Sequence, residues 1–267
     1  MSDDLLLFEK TGHIGRLTIN RPERRNPLGL AGDGDQFMAM AKRINDDFDV
    51  RCVIMTGAGP AFSAGGDLKA MRDRTGEFGG DNLSLREHYR SGIHGIIKAM
   101  WSIEVPIVGA INGPAIGLGG DVASLCDIRL AAASAKFGAT FLKIGLIPGD
   151  GGAWLLPRIV GWSRASQLYF TGDVVDAETA CKWGLVSEVY PDAELMAEAE
   201  KLANRIIQQP PQALRMTKRL MRDGVSASFD AIMEMSAAMQ TIVQRTDDHL
   251  EAVNAFFEKR APVFRGR

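Results

Sequence analysis

The sequence predicts an α/β fold in which short buried strands alternate with helices, followed by an all-helical C-terminal region. Two apolar runs, residues 50–56 and 106–111, are continuous enough for strands that are covered on both faces. Each run precedes a glycine-rich turn and then a segment with helical spacing of apolar residues. The composition changes after residue 190. We therefore expect an α/β core over residues 1–190 and a helical region over residues 191–267.

The N-terminal elements follow from turn residues and apolar patterning. Residues 5–10 and 14–20 predict a β-hairpin, with a Thr-Gly-His turn at 11–13. Residues 21–27 then predict a loop. A helix is expected over residues 33–47, before the first buried strand.

The middle of the chain continues this alternation. Residues 72–82 are polar and contain glycine, so we expect a mobile loop there. A helix is predicted over residues 83–101. The second buried strand, its glycine-rich turn with a short helix, and a strand over residues 127–132 complete the core.

Helical spacing dominates the C-terminal region. Asp192 is a candidate N-cap, and apolar residues repeat at helical spacing over 195–206. Two prolines at 210–211 end that helix, and two more helical segments are predicted over 213–222 and 226–260. These helices carry more apolar surface than a small appendage to the core could bury. We therefore expect this region to mediate self-association.

Composition excludes several classes of function. The 267 residues carry a net charge of −2, with Lys and Arg spread along the chain, which argues against a nucleic-acid-binding surface. No apolar run approaches the roughly 20 residues that span a bilayer. Cys52, Cys126 and Cys181 are far apart and predict reduced thiols. With an acidic start at residues 1–4, these features predict a cytoplasmic protein, and no metal-ligand spacing is visible.

The two glycine-rich turns are the most informative feature. They lie at residues 61–68 and 112–121, each after a buried strand and before a helical segment. A strand, a tight turn and a helix N-terminus leave backbone N–H groups unpaired and pointed at one spot. Two converging turns could place two N–H donors on a single oxygen, as the stabilisation of an oxyanion requires.

These turns belong to a longer series of motifs: residues 62–68 (FSAGGDL), 113–121 (GPAIGLGGD), 145–152 (GLIPGDGG) and 184–186 (GLV). In this order the motifs resemble those of the crotonase family (enoyl-CoA hydratase/isomerase), and the resemblance runs from Arg21 to Arg260. It implies a core of repeated ββα units wound as a spiral. It also implies homotrimers, often paired into hexamers, that act on acyl-CoA thioesters.

The resemblance also implies an oxyanion hole for the thioester carbonyl. Its donors correspond to the backbone N–H groups of Gly66 and Leu118. Most relatives have Gly or Ala where this chain has Leu118. Because any non-proline residue supplies an N–H group, Leu118 changes the bulk beside the acyl pocket rather than the number of donors.

The acid–base groups are only partly preserved. Hydratases of this family use two glutamates, whose positions correspond here to Asp121 and to Phe141. The side chain of Phe141 has no ionisable group and cannot exchange a proton. Isomerase and dehalogenase branches have an aspartate at the position of Gly149, one residue before Asp150. Asp150 could therefore reach the pocket, or could cap a helix that begins at Gly151.

Further residues match family positions for the CoA portion and the acyl group. The resemblance places separated cations near the phosphates. The candidate binding residues are Arg24, Arg25, Ala64, Asp67, Leu68, Lys69, His94, Phe141, Phe256 and Lys259. Lys259 is expected to reach the ligand of a neighbouring subunit. His94 could serve chemistry as in the dehalogenase branch, or could simply pack.

We thus expect an enolate-forming enoyl-CoA enzyme, either a hydratase or a double-bond isomerase, that uses no cofactor beyond the CoA of its substrate. One alternative is a serine hydrolase or other acyl-CoA hydrolase, because residues 61–65 nearly match a nucleophile elbow around Ser63. A dehalogenase is a related alternative. A non-catalytic CoA-binding protein is the third, because Phe141 replaces a catalytic carboxylate.

Overall fold

The computed structural model describes residues 4–266, so most of the acidic start, residues 1–3, lies outside the described residues. Eleven strands form within this range. They are β1 (Leu6–Thr11), β2 (Ile14–Ile19), β3 (Pro27–Leu28), β4 (Cys52–Gly57), β5 (Gly65–Gly66), β6 (Ile107–Ile111), β7 (Ala115–Ile116), β8 (Ile128–Ala132), β9 (Lys136–Gly138), β10 (Val174–Asp176) and β11 (Glu188–Tyr190).

Twelve α-helices connect and follow the strands in the same described range. They are α1 (Asp33–Asp46), α2 (Leu68–Asp73), α3 (Asn82–His88), α4 (His94–Ser102), α5 (Leu118–Ser124), α6 (Gly152–Val160), α7 (Trp162–Thr171), α8 (Ala177–Lys182), α9 (Leu195–Ile206), α10 (Pro211–Gly224), α11 (Phe229–Val243) and α12 (Asp247–Glu258). The alternation of strands and helices up to β11 confirms the predicted α/β core.

The main sheet has six strands in the order β1-β2-β4-β6-β8-β11. β1 and β2 form the predicted antiparallel hairpin, and β2 through β11 pair in parallel. Parallel strands need helical crossovers on the faces of the sheet. The two central strands β4 and β6 are accordingly buried at every position, as their continuous apolar sequences predict.

Two small sheets carry the glycine-rich turns. β3 pairs in parallel with β5, and β7 pairs in parallel with β9, which also pairs with β10. A single parallel bridge between Ser63 and Ala115 joins the two turns to each other. The turns that are about fifty residues apart in sequence therefore lie side by side.

The segment predicted as one helix over residues 83–101 is helical throughout but not uniform. α3 leads into a five-residue π-helical turn, Tyr89–Ile93, which leads into α4. π-helical turns are rare and occur mostly near functional sites. The segment 72–82, predicted as a loop, holds the end of α2 and a 3₁₀ turn over Gly76–Phe78, and Asp81 caps α3.

The C-terminal region differs from its prediction in three details. The segment 226–260 forms two helices, α11 and α12, because Thr246 caps the start of α12. Asp192 does not cap α9: its carboxylate accepts a hydrogen bond from the Ser134 N–H group instead. α9 packs on the main sheet, and its Leu195 and Ala199 belong to the core.

α11 has no buried residue, although its sequence includes exposed Phe229 and Met233. The boundary between residues 190 and 191 stays a prediction. No helix of residues 4–266 has the length and hydropathy needed to cross a membrane.

Candidate active site

The two glycine-rich turns touch at Gly65. This residue has a φ of 86°, in the left-handed region that favours glycine. A Cβ atom built on Gly65 would lie 2.4 Å from the carbonyl oxygen of Ile116 and 3.5 Å from the backbone nitrogen of Leu118. Only glycine allows so close an approach, and it brings the start of α5 against the end of β5.

Ser63 connects the two turns through buried hydrogen bonds. Its hydroxyl is fully buried, donates to the carbonyl of Asn26 at 2.7 Å and accepts from the Gly65 N–H group at 3.1 Å. The Ser63 backbone exchanges hydrogen bonds with the second turn, donating to Pro114 and accepting from Ile116. Ser63 thus holds the two turns together, and the serine-hydrolase alternative lacks an exposed nucleophile here.

A cavity of about 150 Å³ opens directly beside the junction. Gly66 and Leu118, the two predicted donors, both line it. Leu118 is the first residue of α5, so its N–H group has no acceptor within the helix. Sixteen residues line the cavity in all: Ala64, Gly65, Gly66, Leu68, Met71, Tyr89, Ile93, Ile116, Gly117, Leu118, Thr140, Phe141, Lys143, Ile144, Leu146 and Asp150.

A larger groove, of about 690 Å³, lies elsewhere, between the end of α5, α6 and α10. It is lined mostly by apolar residues around Trp101 and Trp154. None of the backbone donors of the two glycine-rich turns reaches this groove, so the smaller cavity is the candidate active site.

Asp150 supplies the one carboxylate among the described residues that line the cavity. The side chain is 4% exposed, and burial raises its pKa from 3.8 to about 7. α6 begins at Gly152, its N-cap is Gly151, and no side chain caps it. The alternative in which Asp150 caps this helix is therefore wrong, and Asp150 lines the cavity.

Asp121 lies in α5 and does not itself line the cavity. It is 5% exposed, and a Cβ built on Gly152, two residues after Asp150, would lie 2.1 Å from one of its carboxyl oxygens. Burial, and then the charge of Asp150, raise the pKa of Asp121 well above its ordinary value, against a lowering contribution from the Gly152 N–H group. Asp121 and Asp150 are therefore two buried carboxyl groups close enough for the charge of Asp150 to act on Asp121.

Oxygen atoms of both aspartates are buried without a hydrogen-bond partner. Four such side-chain atoms occur in residues 4–266, and three are Asp121 Oδ2, Asp150 Oδ1 and the Tyr169 hydroxyl. A buried polar group without a partner costs about 1–3 kcal/mol. Their concentration at one place is typical of a functional site rather than of a structural core.

His94 and Tyr89 support the segment that carries Asp150. The Nε2 atom of His94 lies 2.9 Å from the carbonyl oxygen of Gly149, and its ring meets the Tyr89 ring edge-on at 5.9 Å. Tyr89 lines the cavity, and its pKa is raised by burial and by the charge of Asp150. His94 is absent from the lining among the described residues, so its place here is beside the cavity wall.

The remaining candidates at the mouth are held by backbone contacts and ion pairs. Ala64 and Leu68 line the cavity, and the Ala64 N–H group donates to the carbonyl of Arg25 at 2.8 Å. Asp67 caps α2, accepting from the Lys69 and Ala70 N–H groups, and pairs with the Arg24 guanidinium. This carboxylate therefore positions α2 and Arg24.

The C-terminal candidates are not brought to this cavity. Phe256 is 80% exposed at the end of α12, where its ring meets Phe257, and Lys259 follows with a left-handed backbone. Neither is among the described residues lining the cavity of its own chain. Phe141, by contrast, lies in the cavity wall.

Two tyrosines of the site were missed by sequence reasoning. Tyr89 lies in the π-helical turn, whose extra residue per turn rotates side chains away from the ordinary helical face. Tyr169 lies in α7, a helix outside every family motif that we used, and is 7% exposed. Its only sequence signal is a tyrosine on the apolar face of an amphipathic helix, which core packing explains equally well.

Comparison with known proteins identifies the family of this chain. The family model described as enoyl-CoA hydratase/isomerase matches residues 9–267. The chain is 35% identical over 252 residues to 1,2-epoxyphenylacetyl-CoA isomerase of Escherichia coli, covering 94% of each chain. It is 35% identical over 270 residues to crotonyl-CoA hydratase of Syntrophomonas wolfei, covering 99% of each.

Among solved structures, enoyl-CoA hydratase from Bacillus anthracis superposes with a TM-score of 0.91 at 32% identity. The match covers 99% of this chain and 100% of the other. These agreements extend over the α/β core and the C-terminal helices alike. This chain therefore belongs to the enoyl-CoA hydratase/isomerase family.

Proposed function

We propose that this enzyme acts on an enoyl-CoA thioester through an enolate, and that shifting the position of the double bond is its main reaction. The observation that carries the proposal is that Gly66, Leu118 and Asp150 line one small cavity. The first two can supply backbone donors, and the third supplies a carboxyl group that titrates near neutral pH.

In this reaction the thioester oxygen accepts hydrogen bonds from the N–H groups of Gly66 and Leu118. Ionised Asp150 removes a proton from C2 of a 3-enoyl thioester, and the electron pair moves through the former double bond to give a dienolate. Its negative charge rests on the thioester oxygen, where the two donors stabilise it. Asp150 then returns the proton to C4, which leaves the conjugated 2-enoyl thioester.

A single carboxyl group suits this transfer because it must first accept and then return a proton. General acid–base groups work best with a pKa near the operating pH, and burial gives Asp150 such a pKa. Phe141, at the position of the second family glutamate, contributes an apolar wall to the same cavity. It excludes water from the dienolate.

Hydration of a 2-enoyl thioester is the second candidate. The specific observation in its favour is the buried pair of Asp121 and Asp150, which can hold one ionised and one protonated carboxyl group. Hydration needs a base for the attacking water and an acid for C2. Because Asp121 stands outside the cavity lining, its proton would have to pass through Asp150.

Two substrates separate these reactions. The purified enzyme is given crotonyl-CoA in one cuvette and a 3-enoyl-CoA in another, and the absorbance of the conjugated thioester is followed. We expect it to rise with the 3-enoyl substrate. A fall with crotonyl-CoA and no change with the 3-enoyl substrate would make hydration the reaction. No change with either, on a broad panel of acyl chains, would support a non-catalytic role.

Three observations disfavour a non-catalytic CoA-binding protein, a serine hydrolase and a dehalogenase. Relatives at 35% identity over nearly the whole chain are named for catalytic activities, which disfavours a purely CoA-binding role. Ser63 is buried within the junction of the two turns, which disfavours a serine hydrolase. Asp150, one residue after the position of the dehalogenase aspartate, would have to act as nucleophile rather than base in a dehalogenase.

We further propose that the CoA phosphates lie over the exposed cations beside the mouth, Arg25 and Lys69. Arg25 adjoins the cavity through its hydrogen bond to Ala64, and Lys69 is in the first turn of α2. Arg24 forms an ion pair with Asp67, so it is expected to contribute less to phosphate binding. An increase in KM for acyl-CoA with little change in kcat on neutralising Arg25 and Lys69 would support this placement.

Self-association as a trimer, or as a pair of trimers, is also proposed. Its support is the exposed apolar surface of the last two helices, because α11 has no fully buried residue and Phe256 and Phe257 are exposed. Burying such surface contributes about 25 cal/mol per Å². In the assembly, Phe256 and Lys259 would cover the acyl-CoA of a neighbouring subunit.

A further inference from the structure

Tyr169 is the third group of the buried polar cluster, and the reaction described above does not use it. Its side chain projects from α7 into the protein interior, where the hydroxyl is buried without a hydrogen-bond partner. Its ring lies 6.5 Å from that of Phe141, tilted by 38°. Phe141 lines the cavity, so the Tyr169 ring forms a second layer behind the cavity wall.

The hydroxyl lies within the electrostatic reach of both carboxyl groups. Burial, then Asp121, then Asp150 raise the pKa of Tyr169, so it keeps its proton at any pH at which the enzyme works. A protonated phenol is a hydrogen-bond donor, and the nearby orphaned oxygen atoms of Asp121 and Asp150 are acceptors. The Tyr169 hydroxyl can therefore supply the donor that these two buried acceptors lack.

We propose that Tyr169 is a positioning residue of the acid–base site, donating a hydrogen bond through one water molecule to the ionised carboxyl group of the Asp121–Asp150 pair. This inference rests on the proposed function of Asp150. The bond favours the ionised form of Asp150 and fixes its orientation toward the cavity. When Asp150 takes up the substrate proton, the bond weakens, which favours the return of that proton.

Three basic residues lie on α7 and on the elements packed against it, and one of them, Lys143, also lines the cavity. On α7 itself, Arg164 stacks on Trp183. On the neighbouring α6, Arg158 stacks on Trp154. Lys143, from the 3₁₀ turn packed on α7, passes along Gly172.

The charges of Asp121 and Asp150 act on Tyr169, and that of Asp150 also acts on Asp121 and on Tyr89. His94 touches the Asp150 segment only through the carbonyl of Gly149.

The test is the pH dependence of kcat/KM for the full-length Tyr169→Phe variant on the substrate that the wild type turns over. Removing a donor to an ionised carboxylate raises the pKa of that carboxylate. We expect the acid limb of the profile to move up by about one pH unit, a shift typical of one charge-assisted hydrogen bond. The plateau at high pH should fall less than about tenfold.

Tyr190→Phe is the matched control. It also removes a phenol hydroxyl, but from a half-buried side chain paired with Glu188 on β11, outside the cavity lining. Its profile should coincide with that of the wild type. A Tyr169→Phe profile that also coincides with the wild type would overturn the inference, as would a uniform loss of rate without a shift.

Urea unfolding supplies a readout that is independent of turnover. Tyr169→Phe should lower the unfolding midpoint at pH 8, where Asp150 is ionised, and change it less at pH 5. An equal change at both pH values, or failure of the variant to fold, would assign the hydroxyl a purely structural role. If the wild type turns over no enoyl-CoA, the proposed function fails, while this pH-dependent difference still decides the role of Tyr169.

Discussion

The Cβ position of Gly65 lies 3.5 Å from the backbone nitrogen of Leu118, although 53 residues separate them in sequence. This contact brings a strand end and a helix start together beside one cavity. The spacing leaves no room for a side chain, because the carbonyl oxygen of Ile116 would be only 2.4 Å away. The geometry of the proposed oxyanion hole thus depends on the absence of a single methyl group at Gly65.

Gly65→Ala should damage both stability and activity. The added methyl group must displace the Ile116 carbonyl and adopt a φ that L-residues rarely take, at a cost of about 1–3 kcal/mol. Displacing the Leu118 donor should lower kcat by about 10²–10³. Steady-state kinetics and thermal unfolding measure the two effects.

Gly12→Ala is its control. Gly12 also has a positive φ, but nothing lies within 4 Å of its added Cβ. It should lose some stability through backbone strain and keep its activity. Equal activity losses in both variants would contradict the assignment.

Asp150→Asn should lower kcat by about 10²–10⁴, the usual contribution of a positioned acid–base group. The amide retains the shape of the side chain but cannot exchange a proton with the substrate. Asp46→Asn, at an exposed position paired with Lys42, is the control and should keep full activity. An Asp150→Asn enzyme with a rate near that of the wild type would show that another group is the acid–base catalyst.

The same variant should change the pH dependence of stability. The pKa of Asp150 rises from 3.8 to about 7 on folding, so the folded state binds this proton more tightly. The stability present at low pH is lost as the pH rises toward 7, by up to about 4 kcal/mol. Asp150→Asn should therefore gain stability relative to the wild type at pH 8 and not at pH 4. Parallel urea unfolding curves at the two pH values would argue against a raised pKa.

Ser63→Ala should behave as a structural variant. It removes a buried hydroxyl that donates to Asn26 and accepts from Gly65, so the unfolding free energy should fall by about 1–3 kcal/mol. Activity should decline only as far as the two turns loosen. Unchanged stability with complete loss of thioester hydrolysis would instead revive the hydrolase alternative. Calorimetry and a thioesterase assay distinguish the two.

Replacing both Phe256 and Phe257 by Ser should reduce the oligomeric state. These rings are exposed at the end of α12, and the proposed trimer would bury them. Analytical ultracentrifugation should show dissociation at micromolar concentration. Phe48→Ser, at an exposed ring beside Arg215, should leave the mass unchanged. A monomeric wild-type protein would contradict the proposal outright.

The sequence predicted most of the core because local chemistry specifies it. Continuous apolar runs produced the buried strands β4 and β6, and the glycine-rich turns lie where their spacing predicts. The sequence did not predict in the same way which of Asp121 and Asp150 lines the cavity. Which carboxylate faces the cavity depends on the path of the chain from residue 145 to 152, and that path is set by packing against α4.

Tyr169 illustrates the same limit. A tyrosine on the apolar face of a helix has one chemistry in a dry core and another beside two carboxyl groups. Only the tertiary fold brings α7 against the segment that carries Phe141. The break between α11 and α12 was missed for a simpler reason. Thr246 is a good N-cap, but apolar periodicity continues on both sides of it.

A crystal structure with a bound, unreactive acyl-CoA tests the central claim most directly. The account predicts a thioester oxygen within about 2.7–3.1 Å of the backbone nitrogen atoms of both Gly66 and Leu118. It also predicts the Asp150 carboxyl group beside C2 of the acyl chain. A thioester oxygen that faces away from either nitrogen atom, or an acyl chain that lies outside this cavity, would contradict it.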